Sequence, residues 1–474
     1  MSVADPFVNR TSELNRMRNG LRPESDAQMY TVSGPSGFGK TALLEEFAVK
    51  CESEEIPVIW YEIGDPDTVQ IFFQRLLETW EEEFPDSVID RIKEELSPAA
   101  VRSIARTTSP IDPSGGIGST AIGAILAKLF NSSEDITATI DPVSFLLDII
   151  GSESKKHEQI AIIVDQYDVE RLGEKRAERF DAIFREIARD LPENVTWYIG
   201  SSRHIPNEPE NILRVAVGEL DDSATERLVH KRGFSPEGDV IGEIYNRTRG
   251  HPFVIDKLLK LADNNGLENA LNDSPLNEPE LIQYLESSLL NQLSVEEEQL
   301  LRDSCVLREL RPHLLSEMTD RTSAEVRQLL SNLHQRAIVK RRVTATGETV
   351  FRCHDLQRDY IIENESAREK RRGHLKAAQA FLIHAGEFWN DTNKPASSEE
   401  KQTLSQYLEY MANFDYQLGQ VSNHYGLDHC IEQVLSDIDD LERTLSINAI
   451  EEYYSSGLSD ENNLDADTVL DAIQ

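Results

Sequence analysis

The sequence feature that most restricts how this chain folds is the motif GPSGFGKT at residues 34–41, which satisfies the pattern G-x-x-x-x-G-K-[ST] in full. The apolar run MYTVS at residues 29–33 precedes the motif, and a helical pattern over residues 41–51 follows it. This context is the one the motif needs, because the loop has to join the end of a buried strand to the start of a helix. The sequence therefore predicts a phosphate-binding loop.

Each residue type in this loop has a physical reason to be there. Gly34, Gly37 and Gly39 allow the backbone to curl with its N–H groups pointing inward, which bulky side chains would prevent. Lys40 is expected to place its ammonium group between the β- and γ-phosphates of a nucleotide, and the helix N-terminus adds its dipole. Thr41 is expected to offer its hydroxyl oxygen to Mg²⁺.

Strand and helix patterns alternate through the first 205 residues. Three further runs are rich in β-branched and aromatic side chains, which is typical of buried strands, and amphipathic helical patterns lie between them. The strand runs are residues 57–63, 160–164 and 195–199, and the helical runs are residues 68–84 and 177–191. This alternation predicts an α/β fold with a parallel, doubly wound sheet.

The strand run at residues 160–164 ends in a second candidate for the site. Asp165 follows five consecutive apolar residues and is expected to hold Mg²⁺ through water. Fast ATPases usually have Glu at the next position, but this chain has Gln166, which can orient water and cannot take its proton at neutral pH. Asp168 is the only nearby carboxylate expected to compensate. We therefore expect slow hydrolysis.

One arginine follows the next strand along the chain. The run VTWYI leads through Gly-Ser-Ser into Arg203. The carboxyl end of a parallel strand faces the ligand side of such a sheet, so we expect the Arg203 guanidinium to contact the γ-phosphate.

The rest of the chain predicts helices and one β-hairpin. Three helices followed by strands at residues 338–343 and 349–353 describe a winged helix, with Gly347 in the turn. Residues 102–153 do not fit the strand and helix alternation, and we interpret them as an insertion that runs from a linker into a helix. The expected units are a P-loop NTPase domain (1–205), a helical lid domain (206–280), a winged helix (281–365), a C-terminal helical region (366–456) and an acidic flexible tail (457–474).

The charge of the chain is strongly negative. Its 85 Asp and Glu against 48 Lys and Arg give a formal net charge of −37, and the pI is near 4.7. This balance argues against a protein-wide attraction to nucleic acid and is typical of adaptation to a cytosol rich in salt, where acidic surfaces preserve solubility. Our hypothesis is a halophilic origin. With neither a membrane-spanning run nor a signal peptide pattern, we expect a cytoplasmic protein.

Taken in order, these motifs resemble one known family. After the phosphate loop come the Asp165 strand, Arg203 behind two serines, a Gly-x-Pro step that opens a helix at Pro252, and His354 after the winged-helix hairpin. This order resembles the STAND class of signal-transduction ATPases, relatives of the NB-ARC ATPases in the AAA+ group. The run FVNRTSEL at residues 7–14 is similar to the lead-in Phe-x-Gly-Arg-x-x-Glu-Leu of that class, with Asn9 in place of Gly.

The resemblance implies roles for individual residues and for the whole chain. Val8 and Arg10 would lie near the adenine of ATP or ADP, and Pro252 would pack against it from the helical domain. His354 would contact the β-phosphate of ADP and hold the domains closed, while Arg203 would sense the γ-phosphate. The implied function is a conformational switch controlled by ATP and ADP, with weak Mg²⁺-dependent ATPase activity and possible nucleotide-dependent homo-oligomers.

A different class of function remains open. The helix at residues 323–336 would be the DNA-recognition helix of an ATP-dependent winged-helix regulator or a replication-initiator-like AAA+ protein. The candidate phosphate contacts form a local basic cluster, namely Arg327, Arg336, Lys340, Arg341 and Arg342. A third interpretation is a scaffold with a degenerate nucleotide site, against which the intact phosphate loop argues. The apolar stripes of the C-terminal helices are typical of a core or of a groove for a partner protein.

Overall fold

The computed structural model describes most of the polypeptide. The described residues are 8–95, 141–205, 212–275, 281–392, 403–455 and 464–473, except 9, 23–24, 26, 66, 237–238, 282–286, 288–289, 292, 320, 337, 344–347, 437 and 465. Phe7, Asn9, the first part of the expected insertion and Gly347 of the predicted turn lie outside them. Within the part of the chain that the structure describes, each helix is too short or too polar to span a lipid bilayer.

A five-stranded parallel sheet forms the N-terminal part of the molecule. Its strands are β1 (Met29–Ser33), β2 (Val58–Glu62), β3 (Ile160–Tyr167), β4 (Val195–Ser201) and β5 (Ile212–Ala216). Their order across the sheet is β2-β3-β4-β1-β5, and every neighbouring pair is parallel. The prediction of a parallel α/β sheet is confirmed.

Helices cover both faces of this sheet, which is why its central strands are almost wholly apolar. One face is covered by α1 (Thr11–Gly20) and α2 (Lys40–Ser53), with Phe47, Ile163 and Tyr198 fully buried between helix and sheet. The helices on the other side are α3 (Val69–Glu83), α4 (Ser87–Glu95), α5 (Pro142–Ser154), α6 (Val169–Leu172) and α7 (Glu174–Asp190). Of these, α3, α5 and α7 provide most of the packing on that face, around Trp80 and Trp197.

Strand β5 corrects one expectation from the sequence. We expected only helices between Arg203 and the winged-helix hairpin, but β5 adds to the edge of the sheet beside β1, in register from Met29 opposite Ile212 to Ser33 opposite Ala216. Only Val215 is buried along this strand. An edge strand is covered less completely than a central one, so it needs no continuous apolar run, and the usual signal was missing.

A small helical module follows the sheet. It consists of α8 (Asp222–Lys231), α9 (Val240–Thr248), α10 (Pro252–Asn265) and α11 (Leu267–Asp273) around a core that includes Leu228, Ile244 and Leu258. Helix α10 begins at Pro252, whose missing N–H costs nothing in the first turn.

The winged helix has the predicted elements. Its helices are α12 (Val295–Ser304), α13 (Pro312–Met318) and α14 (Ser323–Gln335), followed by the antiparallel strands β6 (Val339–Val343) and β7 (Thr349–Cys353) and by α15 (Asp355–Asn364). Capping boxes start two of the helices: Ser294 with Glu297, and Thr322 with Glu325. These reciprocal bonds satisfy N–H groups that helix ends otherwise leave unpaired.

The C-terminal helices share one hydrophobic core with the winged helix. They are α16 (Ala367–Thr392), α17 (Thr403–Tyr425), α18 (Leu427–Ser436), α19 (Asp440–Ser455) and α20 (Ala466–Ala472). The apolar stripes of α16 and α17 lie in this core, for example at Phe381 and Phe414. The end of the tail, which was expected to be flexible, is helical: α20 packs against this core and buries Val469 completely.

Candidate functional site

The phosphate loop connects β1 to α2 and needs its glycines for space. A Cβ atom on Gly34 would lie 2.1 Å from the carbonyl oxygen of Val217, which is far inside contact distance. Gly37 has φ +80°, and a Cβ atom there would lie 2.7 Å from Cε1 of His251. Side chains at these two positions would therefore displace the neighbouring strand end or the helical module.

Lys40 begins α2 and turns its side chain back over the loop. Its Nζ atom donates hydrogen bonds to the carbonyl oxygens of Gly34 at 2.8 Å and Pro35 at 2.9 Å. Burial lowers the pKa of Lys40, and the nearby carboxylates of Asp165 and Asp168 act in the opposite direction. The ammonium group thus lies partly desolvated among acceptors, where it favours a further anionic partner.

Thr41, Asp165 and Gln166 form a compact set of oxygen and amide groups. Thr41 Oγ1 donates to Asp165 Oδ2 at 2.7 Å, and Gln166 Nε2 donates to Thr41 Oγ1 at 3.1 Å. Burial raises the pKa of Asp165 to about 6, and the negative charge of Glu62 adds to this. A hydroxyl and a carboxylate in contact fit the oxygen ligands that Mg²⁺ prefers, and a cation there would favour the ionised carboxylate.

Glu62 is a second carboxylate at this edge that the sequence analysis missed. It ends β2 and pairs in register with Asp165 of β3. Burial would raise the pKa of Glu62, but the guanidinium groups of Arg342 and Arg352 lower it below its ordinary value. Asp168 is therefore not the only carboxylate at this edge of the sheet, and its compensation for Gln166 stays a prediction. The sequence signal that could have identified Glu62 is its position as an acidic residue near the end of the buried strand run PVIWYEI.

One cavity of about 290 Å³ collects most of the predicted site residues. Its lining comes from the sheet domain, the helical module and the winged helix together. Predicted residues in the lining are Val8, Arg10, Gly37, Gly39, Lys40, Thr41, Asp165, Gln166, Pro252 and His354. Gly34 contributes through its carbonyl oxygen, which accepts from Lys40.

Arg203 is the predicted site residue that the structure places elsewhere. Its Nη2 atom donates to Asp181 Oδ2 at 2.8 Å, and it does not occur among the described residues that line the cavity. Asp181 also accepts a 2.7 Å hydrogen bond from the Tyr167 hydroxyl. The role of Arg203 as a γ-phosphate sensor stays a prediction, and it would require this ion pair to break.

His354 and Phe253 bring the winged helix against the helical module. Their ring centroids are 4.2 Å apart, and both residues line the cavity. His354 Nδ1 accepts from the backbone N–H of Leu356 at 3.2 Å, and burial lowers the pKa of His354 to about 3. The ring is therefore neutral and carries its proton on Nε2, which leaves one donor for a ligand.

His251 is a contact that the sequence did not single out. Its ring centroid lies 4.3 Å from that of Phe38 in the phosphate loop, and the residue is only 5% exposed. Burial lowers the pKa of His251 to about 4, and its Nδ1 atom has no hydrogen-bond partner among the described residues. The helical module thus rests on the phosphate loop through a neutral ring.

Arg10 ties the N-terminal lead-in to the loop. Its Nη2 atom donates to the carbonyl oxygens of Gly218 at 2.5 Å and Phe38 at 3.3 Å, and Nη1 donates to Glu13 at 3.2 Å. These bonds use the guanidinium to position backbone segments at the rim of the cavity.

Four winged-helix arginines bind carboxylates at the end of β2. Arg342 and Arg352 donate to Glu62, the latter at 2.7 Å. Arg308 and Arg358 donate to Asp65, each at 3.2 Å. The sheet domain and the winged helix are therefore joined by buried and half-buried ion pairs, which water screens less than surface pairs.

Contacts within the protein engage part of the basic cluster that the sequence predicted to bind DNA. Arg342 is engaged with Glu62, Lys340 lines the cavity, and Arg336 lies 3.6 Å from Glu297. Arg327, Arg336, Lys340 and Arg341 are nevertheless exposed, and only Arg342 is half-buried. DNA binding stays a prediction that rests on fewer accessible cations than the sequence indicated.

The order of the elements and the position of the phosphate loop define the class of this fold. A parallel sheet with a phosphate loop after β1 and an aspartate at the end of β3, followed by helices and a winged helix, is the architecture of a P-loop ATPase.

Comparisons with known proteins agree with this fold. Residues 286–372 match the MalT winged helix domain family. The chain is similar in structure to a STAND protein with a tetratricopeptide repeat sensor from Pyrococcus horikoshii, with a TM-score of 0.50 and 14% identity. That similarity covers 95% of this chain and 61% of the other, so this chain spans less than two thirds of its length. No curated protein matches the sequence.

Two further structures have lower scores and carry no weight for the fold. One is a Walker-type ATPase of Pyrococcus abyssi, with a TM-score of 0.34 and 13% identity over 75% of this chain and 96% of that one. The other is Cdc6p from Pyrobaculum aerophilum, with a TM-score of 0.30 and 12% identity over 76% and 96%.

Proposed function

We propose that this chain is a conformational switch of the STAND type, which binds ADP in a closed state and ATP in an opened one and hydrolyses ATP slowly with Mg²⁺. One observation carries the proposal: the phosphate loop, Pro252 of the helical module and His354 of the winged helix line a single cavity. A nucleotide held there would contact all three parts of the chain. Its identity would therefore influence whether they stay together.

The residues present fit a nucleotide with Mg²⁺. Lys40 and the loop N–H groups bind phosphate oxygens, and Val8 with Pro252 provides apolar contacts for a base. Thr41 and Asp165 are the candidate metal ligands. A bound Mg²⁺ would supply positive charge that offsets the negative charge developing during phosphoryl transfer.

The switch requires contacts that differ between the two nucleotides. His354 offers its Nε2–H to a phosphate oxygen of bound ADP, in a position that also keeps the winged helix against Phe253. Arg203 is the predicted partner of the γ-phosphate, and it is held by Asp181 in the closed arrangement. Exchange of ADP for ATP would therefore favour a rearrangement of both contacts.

The experiment is to identify the nucleotide that accompanies the purified protein and then to measure its effect on shape. Protein denatured immediately after purification should release ADP, and calorimetry in molar KCl should detect binding of ADP and ATP. Small-angle scattering and mass measurement should give a more extended particle, or an oligomer, with a non-hydrolysable ATP analogue. Absence of binding heat with both nucleotides would contradict the proposal.

A further inference from the structure

The end of β2 places a carboxylate beside the metal-binding aspartate on the face that carries the phosphate loop. Glu62 is in register with Asp165, so the two Cα atoms lie on neighbouring strands about 4.8 Å apart. Two residues earlier on each strand, Trp60 and Ile163 pack against α2. Because side chains alternate along strands, Glu62 and Asp165 also project toward the α2 side.

Two arginines of the winged-helix hairpin engage this carboxylate. Arg342 donates to Oε1 of Glu62, and Arg352 donates to Oε2 at 2.7 Å. Both arginines line the cavity, whereas Glu62 is not among its described lining residues. The guanidinium groups therefore stand between Glu62 and the space where a nucleotide would bind.

A third arginine of the winged helix engages the other group able to orient water. Arg308 Nη2 donates to Gln166 Oε1 at 2.9 Å, while the Gln166 amide nitrogen donates to Thr41. In the closed arrangement both ends of the Gln166 amide are occupied. The same module thus restrains Gln166 and Glu62.

We propose that Glu62 is the general base of ATP hydrolysis and that Arg342 and Arg352 withhold it while the winged helix is docked. This inference rests on the proposed ATPase function. In the step, the water oxygen bonds to the γ-phosphorus and the bond from that phosphorus to the β–γ bridging oxygen breaks. The water proton passes to the Glu62 carboxylate, and the products are ADP and inorganic phosphate.

The test begins with the double variant Arg342→Ala/Arg352→Ala, which frees Glu62. Its hydrolysis rate should exceed that of the wild type. Adding Glu62→Gln to this background should lower the rate by about 100-fold or more, the range for loss of a general base. Affinities for ATP and ADP, measured by calorimetry, should be the same in the double and triple variants.

The double variant separates a catalytic role of Glu62 from a role in holding the winged helix, because the ion pairs of Glu62 with Arg342 and Arg352 are already absent from it. Asp359→Asn in the same background is the matched control. Asp359 lies 3.4 Å from Arg171 across the same interface and is not among the described cavity residues. Its substitution should leave the rate of the double variant unchanged.

Each alternative outcome decides the question. A triple variant that binds ATP and hydrolyses it as fast as the double variant would overturn the assignment of Glu62. Equal rates in the double variant and the wild type would overturn the restraint by the arginines. If the double variant does not fold, Glu62→Gln alone should hydrolyse more slowly than the wild type, whereas a pure anchor predicts an equal or higher rate. Failure of the wild type to bind ATP would instead reject the proposed function.

Discussion

Arg308 donates a hydrogen bond from Nη2 to Oε1 of Gln166 over 2.9 Å, which links the winged helix directly to the residue that follows Asp165. Gln166 has φ +66°, an uncommon conformation for a residue with a side chain. The second guanidinium nitrogen of Arg308 donates to the carbonyl oxygen of Ile63 at 2.7 Å. One side chain therefore connects the winged helix with the ends of two strands at the proposed catalytic edge.

Replacing Lys40 by Ala should weaken binding of ATP and ADP by more than about tenfold, since a hydrogen bond to a charged group contributes about 1.5–3 kcal/mol. Calorimetry with each nucleotide and Mg²⁺ measures this change. Lys50→Ala is the control, because Lys50 lies near the other end of the same helix, where its half-exposed side chain is 3.6 Å from Glu46. Unchanged affinity in Lys40→Ala would show that phosphate is not bound at this loop.

Replacing His354 by Ala should speed the release of ADP by about tenfold, because the variant loses a phosphate donor and the ring contact with Phe253. Stopped-flow release of a fluorescent ADP analogue measures the rate. The same variant should also exchange amide hydrogens faster in β6 and β7. His429→Ala, which alters an exposed histidine of α18, should behave as the wild type. Equal release rates in His354→Ala and wild type would contradict the proposed role of His354 in retaining ADP.

His251 predicts a pH dependence of stability. Because burial lowers the pKa of His251 to about 4, its contribution is complete above the unfolded value near 6.5 and is lost as the pH falls toward 4. The free energy of unfolding should decrease by about 1.4 kcal/mol per pH unit relative to His251→Phe within this window. The raised pKa of Asp165 acts in the opposite direction, but it is common to both proteins and cancels in the difference. If the free energies of unfolding of wild type and His251→Phe change in parallel with pH, titration of His251 does not affect stability.

The net charge of −37 predicts that the melting temperature rises with KCl. Salt shortens the screening length from about 10 Å at 0.1 M to about 3 Å at 1 M, which reduces repulsion among surface carboxylates. The buried pairs between Asp65 and the arginines are screened less, so the gain at the surface should dominate. Thermal melts from low to molar KCl measure the effect. A melting temperature that is independent of salt would reject the halophile hypothesis.

Much of the fold was accessible from the sequence because its signals are local. The strand run before Asp165 and the helical pattern after the phosphate loop were identified from residues adjacent in the chain. The same approach missed β5, a five-residue strand whose apolar run is interrupted by Arg214 and of which only Val215 is buried. It also placed Arg203 at the site, since position after a strand does not reveal that Asp181, 22 residues earlier, would hold its side chain.

The amino-acid sequence by itself determined the phosphate loop, because Gly34, Gly37 and Lys40 impose their geometry within eight consecutive residues. Only the tertiary structure decided which side chains face that loop. Glu62 reaches Asp165 through strand pairing, and Arg308 reaches Gln166 from a module 142 residues further along the chain. Contacts of this kind depend on how units that are distant in the chain pack together. A buried charge pairs with a group that lies beside it in the folded structure, and local sequence does not specify that neighbour.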